Sequence, residues 1–400
     1  MKLQDKDFCP RIVCDIEYTV LFENNDNSLY CMGSKVQDRY IQLSDNNLEA
    51  VKKTVDLMNG THRIKEIQDK MMKEYHIKIN VLELCEWLAK AGLLKNPPED
   101  VELEKQEMYY LSMTIKSFSL ERCYGAFQWI GEKCWKKIVY MSICILLIGT
   151  IIGIYNWKDL VTLKSYEIHG SLLAGIIFML SLFALSIGIH ELAHAVVGYK
   201  CGLKPKEFVF ALYVGTPMFY IKMPGIYTLT PKKRIAVWMA GIYSNIVIAA
   251  FCMILMSFAN GILKTMLLIG CSTNFSLAVA NLSPLLPLDG YFILSTMLKK
   301  PNLRKGSFQQ FKNWVLRKNN SFSGLYVMYF LITIGFYIAF AVYEIECVVD
   351  IVKKGIVCGY TWVEYIFEFR IVAIVLAIII MKKGLEVIMN IVNKKRLVSV

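Results

Sequence analysis

The sequence predicts a mainly α, polytopic membrane fold with about six transmembrane helices, preceded by a small cytosolic winged-helix-like α+β domain. Three observations carry this. Of the 400 residues, 55% are hydrophobic, and the mean hydropathy of +0.42 exceeds what a chain with a fully solvated surface shows. The apolar residues are concentrated in long runs after roughly the first third of the chain. Between those runs lysine and arginine gather in every second connection.

The apolar runs are 138–155, 171–199, 235–258, 266–286, 322–343 and 371–381, most of them near the length of about 20 residues that a helix needs to cross a hydrocarbon core. Basic clusters lie before the first run (Lys133, Lys136, Lys137), between the second and third (Lys200 to Arg234), after the fourth (Lys299 to Lys318) and after the sixth (Lys382 to Arg396). By the positive-inside rule both termini are cytosolic and the protein is a multi-pass component of the cell membrane. The formal charge of +12 is thereby explained by membrane topology and implies no nucleic acid partner. The opening residues lack the continuous apolar core of a signal peptide. Twelve cysteines occur without a Cys-x-x-Cys pair, which argues against a ribbon-type zinc site. Cys347 and Cys358 fall in one predicted external loop, where a disulfide is permitted.

The domain organisation follows: a cytosolic domain over 1–118 with a winged-helix unit at 36–96, an interfacial linker over 119–137, and a membrane domain over 138–400. Within the first, a short strand at Tyr40 precedes three helical patterns. Leu48, Val51, Val55 and Met58 share a face ahead of Asn59-Gly60. Thr61 is the expected N-cap of a second helix burying Ile64, Ile67 and Met71, and Asn80-x-x-Glu83 opens a third that ends at Gly92. Residues 44–96 hold nine Lys/Arg against eight Asp/Glu, so no basic recognition helix for DNA is present. The linker, with Phe127, Trp129 and Trp135, reads as lying along membrane lipid.

The chemistry concentrates in the second run, at His190-Glu191-Leu-Ala-His194. Histidines four apart on a helix are only about 40° from alignment, so both imidazoles reach one metal ion. The glutamate after the first histidine is placed as general base for water at that metal. Ionisable side chains inside an apolar span are costly, roughly 2.5–3.5 kcal/mol each at the bilayer centre, and usually face a functional interior. A hydrolytic zinc also needs a third protein ligand. Asp289 stands at the cytosolic end of the fourth run, at the depth of the two histidines, and is the third ligand by elimination; Cys201, Cys252 and Cys271 are poorer candidates.

Together with Asn281-Leu-Ser-Pro284-Leu-Leu-Pro287-Leu-Asp289-Gly290 and Ala240-Gly241-Ile-Tyr-Ser-Asn245, the histidine motif resembles the site-2 protease family of intramembrane zinc metalloproteases over roughly residues 171–294. Ile242 departs from that pattern, where a proline is common. The resemblance implies one Zn2+ per chain held by His190, His194 and Asp289, Glu191 as base, and Asn245 holding the substrate backbone or the developing oxyanion. Tyr40-Ile-Gln-Leu, Asn59-Gly60-Thr61 and Leu88-Ala-Lys-Ala-Gly92-Leu-Leu resemble PqqD-like peptide-recognition domains, which implies capture of a ribosomally made precursor peptide.

Two further readings stay open on the sequence: a regulatory protease that releases a membrane-bound transcription regulator, and a non-proteolytic zinc-dependent peptide transport or immunity protein. The stretches Phe208-Val-Phe-Ala-Leu-Tyr213-Val and Met218-Phe-Tyr-Ile-Lys222 flank Gly215-Thr216-Pro217 and predict a hairpin. It either rests on lipid headgroups or offers an edge strand to an unfolded substrate.

Overall fold

A computed structural model describes residues 3, 7–23, 28–103, 112–155, 168, 172–213, 216–300, 302–316 and 323–358. They group into two compact units. The first comprises Met1–Tyr110, Ser117–Val209 and Phe219–Lys299; the second comprises Leu111–Lys116, Phe210–Met218 and Lys300–Val400.

The N-terminal part of the first unit is a three-stranded antiparallel sheet of β1 (Ile16–Phe22), β2 (Leu29–Ser34) and β3 (Arg39–Ser44), followed by helices α1 (Asp45–Leu57), α2 (Ile64–Lys73) and α3 (Val81–Lys90). Only β3 was expected from the sequence. β2 escapes it because Cys31 to Ser34 are buried in succession, so polar and apolar residues do not alternate, whereas β1 alternates over Ile16-Glu17-Tyr18-Thr19-Val20 before its buried end at Leu21 and Phe22. Met32 packs into the helical core, whereas its neighbour Cys31 joins Leu21 and Phe22 on the opposite face. The helical side closes over Met58, Ile67, Met71, Val81, Cys85, Leu88 and Leu93, all with no measurable exposure.

Local chemistry sets the helix ends. Gly92, at φ +72°, lets Leu93 N donate to Leu88 O and Gly92 N to Ala89 O, both at 2.9 Å, the Schellman arrangement. Asn80 caps α3 by accepting from Glu83 N at 3.3 Å. The expected N-cap Thr61 is displaced: its amide donates to Asn59 Oδ1 at 2.9 Å in an Asx turn, and α2 begins two residues later, where Arg63 N donates to Glu66 Oε2 at 2.9 Å.

The far face of the sheet docks on the rest of the unit. Arg234, only 2% exposed, donates from Nη2 to Leu21 O at 2.5 Å, and its guanidinium lies 4.9 Å from the Phe22 ring centroid. The Tyr40 and Tyr227 rings meet edge to face at 6.2 Å, and Lys206 Nζ donates to Val36 O at 3.3 Å. Asp38 accepts from the Gly225 amide. Burial raises its carboxyl above the usual range, against the lowering by that bond and by the charges of Lys206 and Arg39.

Five helices among the described residues are long and apolar enough to cross a membrane: Glu121–Tyr155, Ile177–Lys200, Pro231–Met256, Gly261–Leu282 and Gly324–Tyr343. The protein is thus mostly helical and has the build of a polytopic membrane protein; the sixth expected stretch, 371–381, lies outside the described residues. The first is assembled from α4 (Tyr124–Trp129), a π-helical turn and α5 (Trp135–Tyr155), so much of the stretch expected at the interface is continuous with the span. Leu147, Ile151 and Ile154 of α5 are 62–70% exposed, an apolar stripe that suits lipid. Then come α6 (Leu172–Lys200), α7 (Pro231–Met256), α8 (Gly261–Leu282) and α9 (Asp289–Met297). The most enclosed span is α7, which packs against α5, α6, α8 and α9. Ser142 of α5 and Tyr243 of α7 share a hydroxyl hydrogen bond at 2.6 Å.

The predicted hairpin is present as β5 (Glu207–Tyr213) and β6 (Thr216–Lys222), joined by β4 (Ser112–Ser119) in a sheet of order β4-β5-β6 that leaves β6 at an edge. In the second unit, α10 (Leu303–Val315) packs on α11 (Gly324–Cys358), where Phe311 stacks on Phe330 at 4.4 Å. Continuous α11 replaces the external loop expected around Cys347 and Cys358. Along that helical backbone their Cα positions are about 16 Å apart, beyond the roughly 7 Å reach of a disulfide.

Two substitutions test this arrangement. Leu88→Ala is expected to cost about 2–5 kcal/mol, read as faster hydrogen exchange of α1–α3 amides in the full-length protein. Asp38→Asn keeps an acceptor for Gly225 N and suits the φ of +51° at this position. Because the folded state favours neutral Asp38, its cost is absent at low pH and grows as pH rises through its raised pKa. The variant is therefore expected to melt higher than wild type at pH 7 and to lose that advantage on acidification.

Candidate metal centre

His190 and His194 lie one turn apart on α6 and are 5% and 4% exposed. Their Nε2 atoms are 3.1 Å apart, with ring centroids at 4.7 Å and planes at 82°. Asp289, the first residue of α9, sets Oδ2 at 3.1 Å from His190 Nε2 and 3.2 Å from His194 Nε2. That buried oxygen makes no well-formed hydrogen bond to either ring. Three donor atoms thus form a nearly equilateral triangle, two from histidines one helical turn apart and the third from an aspartate far along the chain.

Each corner has a local cause. Helical spacing aligns the two histidines. Asp289 arrives because the chain folds sharply back at the end of α8: a Cβ at Gly290 would fall 2.9 Å from Asn281 O and closer still to Leu282 O. Stacking of Phe292 on Trp238, centroids 4.8 Å apart at 23°, holds α9 against α7.

The second helix of the site, α7, presents residues 237, 241 and 245 at the same spacing of four. Val237 O accepts from His194 Nδ1 at 2.7 Å, which fixes that ring with its proton on Nδ1. A Cβ at Gly241 would stand 2.5 Å from His194 Nε2 and closer to His190 Nε2, so the glycine leaves the room in which the two nitrogens face Asp289. Asn245 is completely buried, with Nδ2 3.1 Å from His190 Nδ1 and Oδ1 without a partner.

Glu191 is placed differently from the other three. Its Oε2 accepts from the Ile221 amide of β6 at 3.1 Å. Donor atoms of His190, Glu191 and His194 all lie within 4.8 Å of one another, a largely buried group able to hold a metal ion. Asp289 completes the tighter triangle, while the carboxylate of Glu191 is tied to the strand.

Comparison with protein-family models, curated proteins and solved structures finds no match to this chain. The site is therefore read from its own geometry. All five residues singled out in the sequence, His190, Glu191, His194, Asn245 and Asp289, come together here. The alternatives join other clusters: Cys201 packs with Leu203 and Ile226, and Cys252 and Cys271 share an apolar cluster with Ala249 and Met253. Sequence reading missed Val237 and Ile221 because they act through backbone atoms, which no side-chain pattern announces. For Val237 one signal existed, its position one turn before Gly241 in the Gly-x-x-x-Asn pattern.

Gly241→Ala is the direct probe of this packing. It is expected to lower bound metal, measured by plasma mass spectrometry on purified protein, at least about tenfold while the helices stay folded by circular dichroism. Full metal content in the variant would show that the ion is held elsewhere.

Proposed function

We propose that this chain is an intramembrane zinc metalloprotease of the site-2 protease kind, and that it hydrolyses a peptide bond in a membrane-associated peptide, with the termini on the cytosolic side. The observation that carries the reading is the triangle of His190 Nε2, His194 Nε2 and Asp289 Oδ2, its two histidines in a helix apolar enough to span a membrane, with a separately anchored Glu191 beside it. The donor set fits zinc: nitrogen and oxygen ligands about 2.0–2.2 Å from an ion, with separations of 3.1–3.2 Å, subtend about 100° at it, near tetrahedral. Two imidazoles and one carboxylate leave a fourth position for reactants, as in hydrolytic rather than closed structural sites.

When bound, zinc supplies Lewis acidity to a carbonyl and to the attacking water. The chain supplies the rest. Glu191 takes the proton of water on its carboxylate and returns it to the leaving amine, and the Ile221 amide keeps that carboxylate from turning into the ligand triangle. Edge strand β6 lies beside Glu191, which supports the reading of the hairpin as a template: an extended substrate added to β6 brings its backbone to the base. The sheet-and-helix unit of β1–β3 and α1–α3 supports a role in capturing a ribosomally made precursor peptide before cleavage.

The test is cleavage, in detergent, of a precursor peptide encoded beside the gene, comparing wild type with Glu191→Gln and measuring zinc in both. The variant is expected to keep about one zinc per chain and to lose cleavage by about 10²–10⁴-fold. Wild-type cleavage by the variant would remove Glu191 as the base, and wild-type protein without zinc would remove the metal reading altogether.

A further inference from the structure

Val237 O can only accept, so His194 carries a proton on Nδ1 and, as a neutral ring, offers an Nε2 lone pair on the side of Asp289. The Nε2 atoms of His190 and His194 face each other at 3.1 Å. On the other side of His190, Nδ1 meets the Asn245 carboxamide, with Nδ2 at 3.1 Å. Each imidazole thus has one nitrogen at the candidate metal position and the other against α7.

Ligation by both rings requires the His190 proton on Nδ1, and Nδ1 then needs an acceptor. Asn245 holds one in reserve, since its Oδ1 is buried without a partner on the same carboxamide. Half a turn of the amide about its last side-chain bond exchanges Nδ2 for Oδ1 opposite the ring.

We propose that Asn245 is the positioning residue of His190: with its carboxamide turned so that Oδ1 accepts from Nδ1–H, it holds the ring with the Nε2 lone pair toward the metal position. The inference rests on the metal reading above and gives Asn245 a different task from the substrate contact implied by family resemblance. Its side chain, fully buried and against an imidazole, reaches the reaction through His190. The spacing of the Gly-x-x-x-Asn pattern acquires a reason: on α7 it repeats the four-residue step of the histidines on α6, so that residue 237 serves His194 and residue 245 serves His190.

The experiment measures zinc affinity by competition with a chromophoric chelator, in full-length protein, for wild type, Asn245→Leu, Asn245→Asp and Asn245→Ala, with visible spectra of the cobalt-substituted proteins. Leucine keeps the bulk and removes the acceptor, and zinc affinity is expected to fall about 10–100-fold. Aspartate restores an acceptor for Nδ1–H, and affinity is expected to return to within about threefold of wild type, with a wild-type cobalt spectrum. Alanine is the second truncation, expected to behave as leucine does, and decides the matter if the leucine variant does not assemble. Truncation that leaves zinc affinity intact while abolishing cleavage would overturn the proposal in favour of substrate contact. Aspartate binding zinc as weakly as leucine would also overturn it, because shape rather than the acceptor would then matter. Wild-type protein that binds no zinc would instead fail the metal reading itself, an outcome separate from either.

Discussion

Everything at the centre of this protein depends on how closely α7 approaches α6. With Gly241 between them, the backbone of one helix comes to the imidazole heads of the other, near enough for the Val237 carbonyl to take the His194 proton at 2.7 Å. A side chain there would push the helices apart, and the carbonyl, Asn245 and the rings would lose one another together. The enclosure of α7 among four other helices makes the approach rigid, because any retreat opens voids on its remaining sides.

The same helix anchors the N-terminal sheet. Arg234 stands one turn before Val237, and its guanidinium is taken up by Leu21 O and the face of Phe22. A basic residue in a stretch that marks membrane orientation is here withdrawn from solvent and serves as a joint. Lys299, just past α9, reaches back to Glu23 O, so the sheet is tied to both elements that flank the acidic corner of the triangle.

Much of the site was visible in the sequence because it is written in side chains whose chemistry is rare inside an apolar span. His190 and His194 advertise their face by spacing, and Asp289-Gly290 advertises both a ligand and the sharp reversal that delivers it. What stayed hidden has physical reasons. Strand β2 is buried in succession from Cys31 to Ser34 and lacks alternation; Thr61 has a competing partner in Asn59; Val237 and Ile221 contribute backbone atoms. The apolar run ending at 343 was legible from hydropathy, but the helix beyond it was not, because hydropathy marks where an apolar run stops, whereas a helix continues through Glu344, Glu346 and Asp350 as long as its backbone bonds are made.

The contact between Glu191 and Ile221 has a second side. A strand at the edge of a sheet carries amides that seek partners, and in a dry interior an unpaired one costs about 1–3 kcal/mol. Glu191 caps that edge. The residue proposed as the base is therefore also part of the hairpin's seam with α6, and truncating it to a methyl group would release the strand as well as remove the carboxylate. A carboxamide at position 191 keeps an oxygen for the Ile221 amide, so the anchoring of the strand can be separated from the charge of the side chain that anchors it.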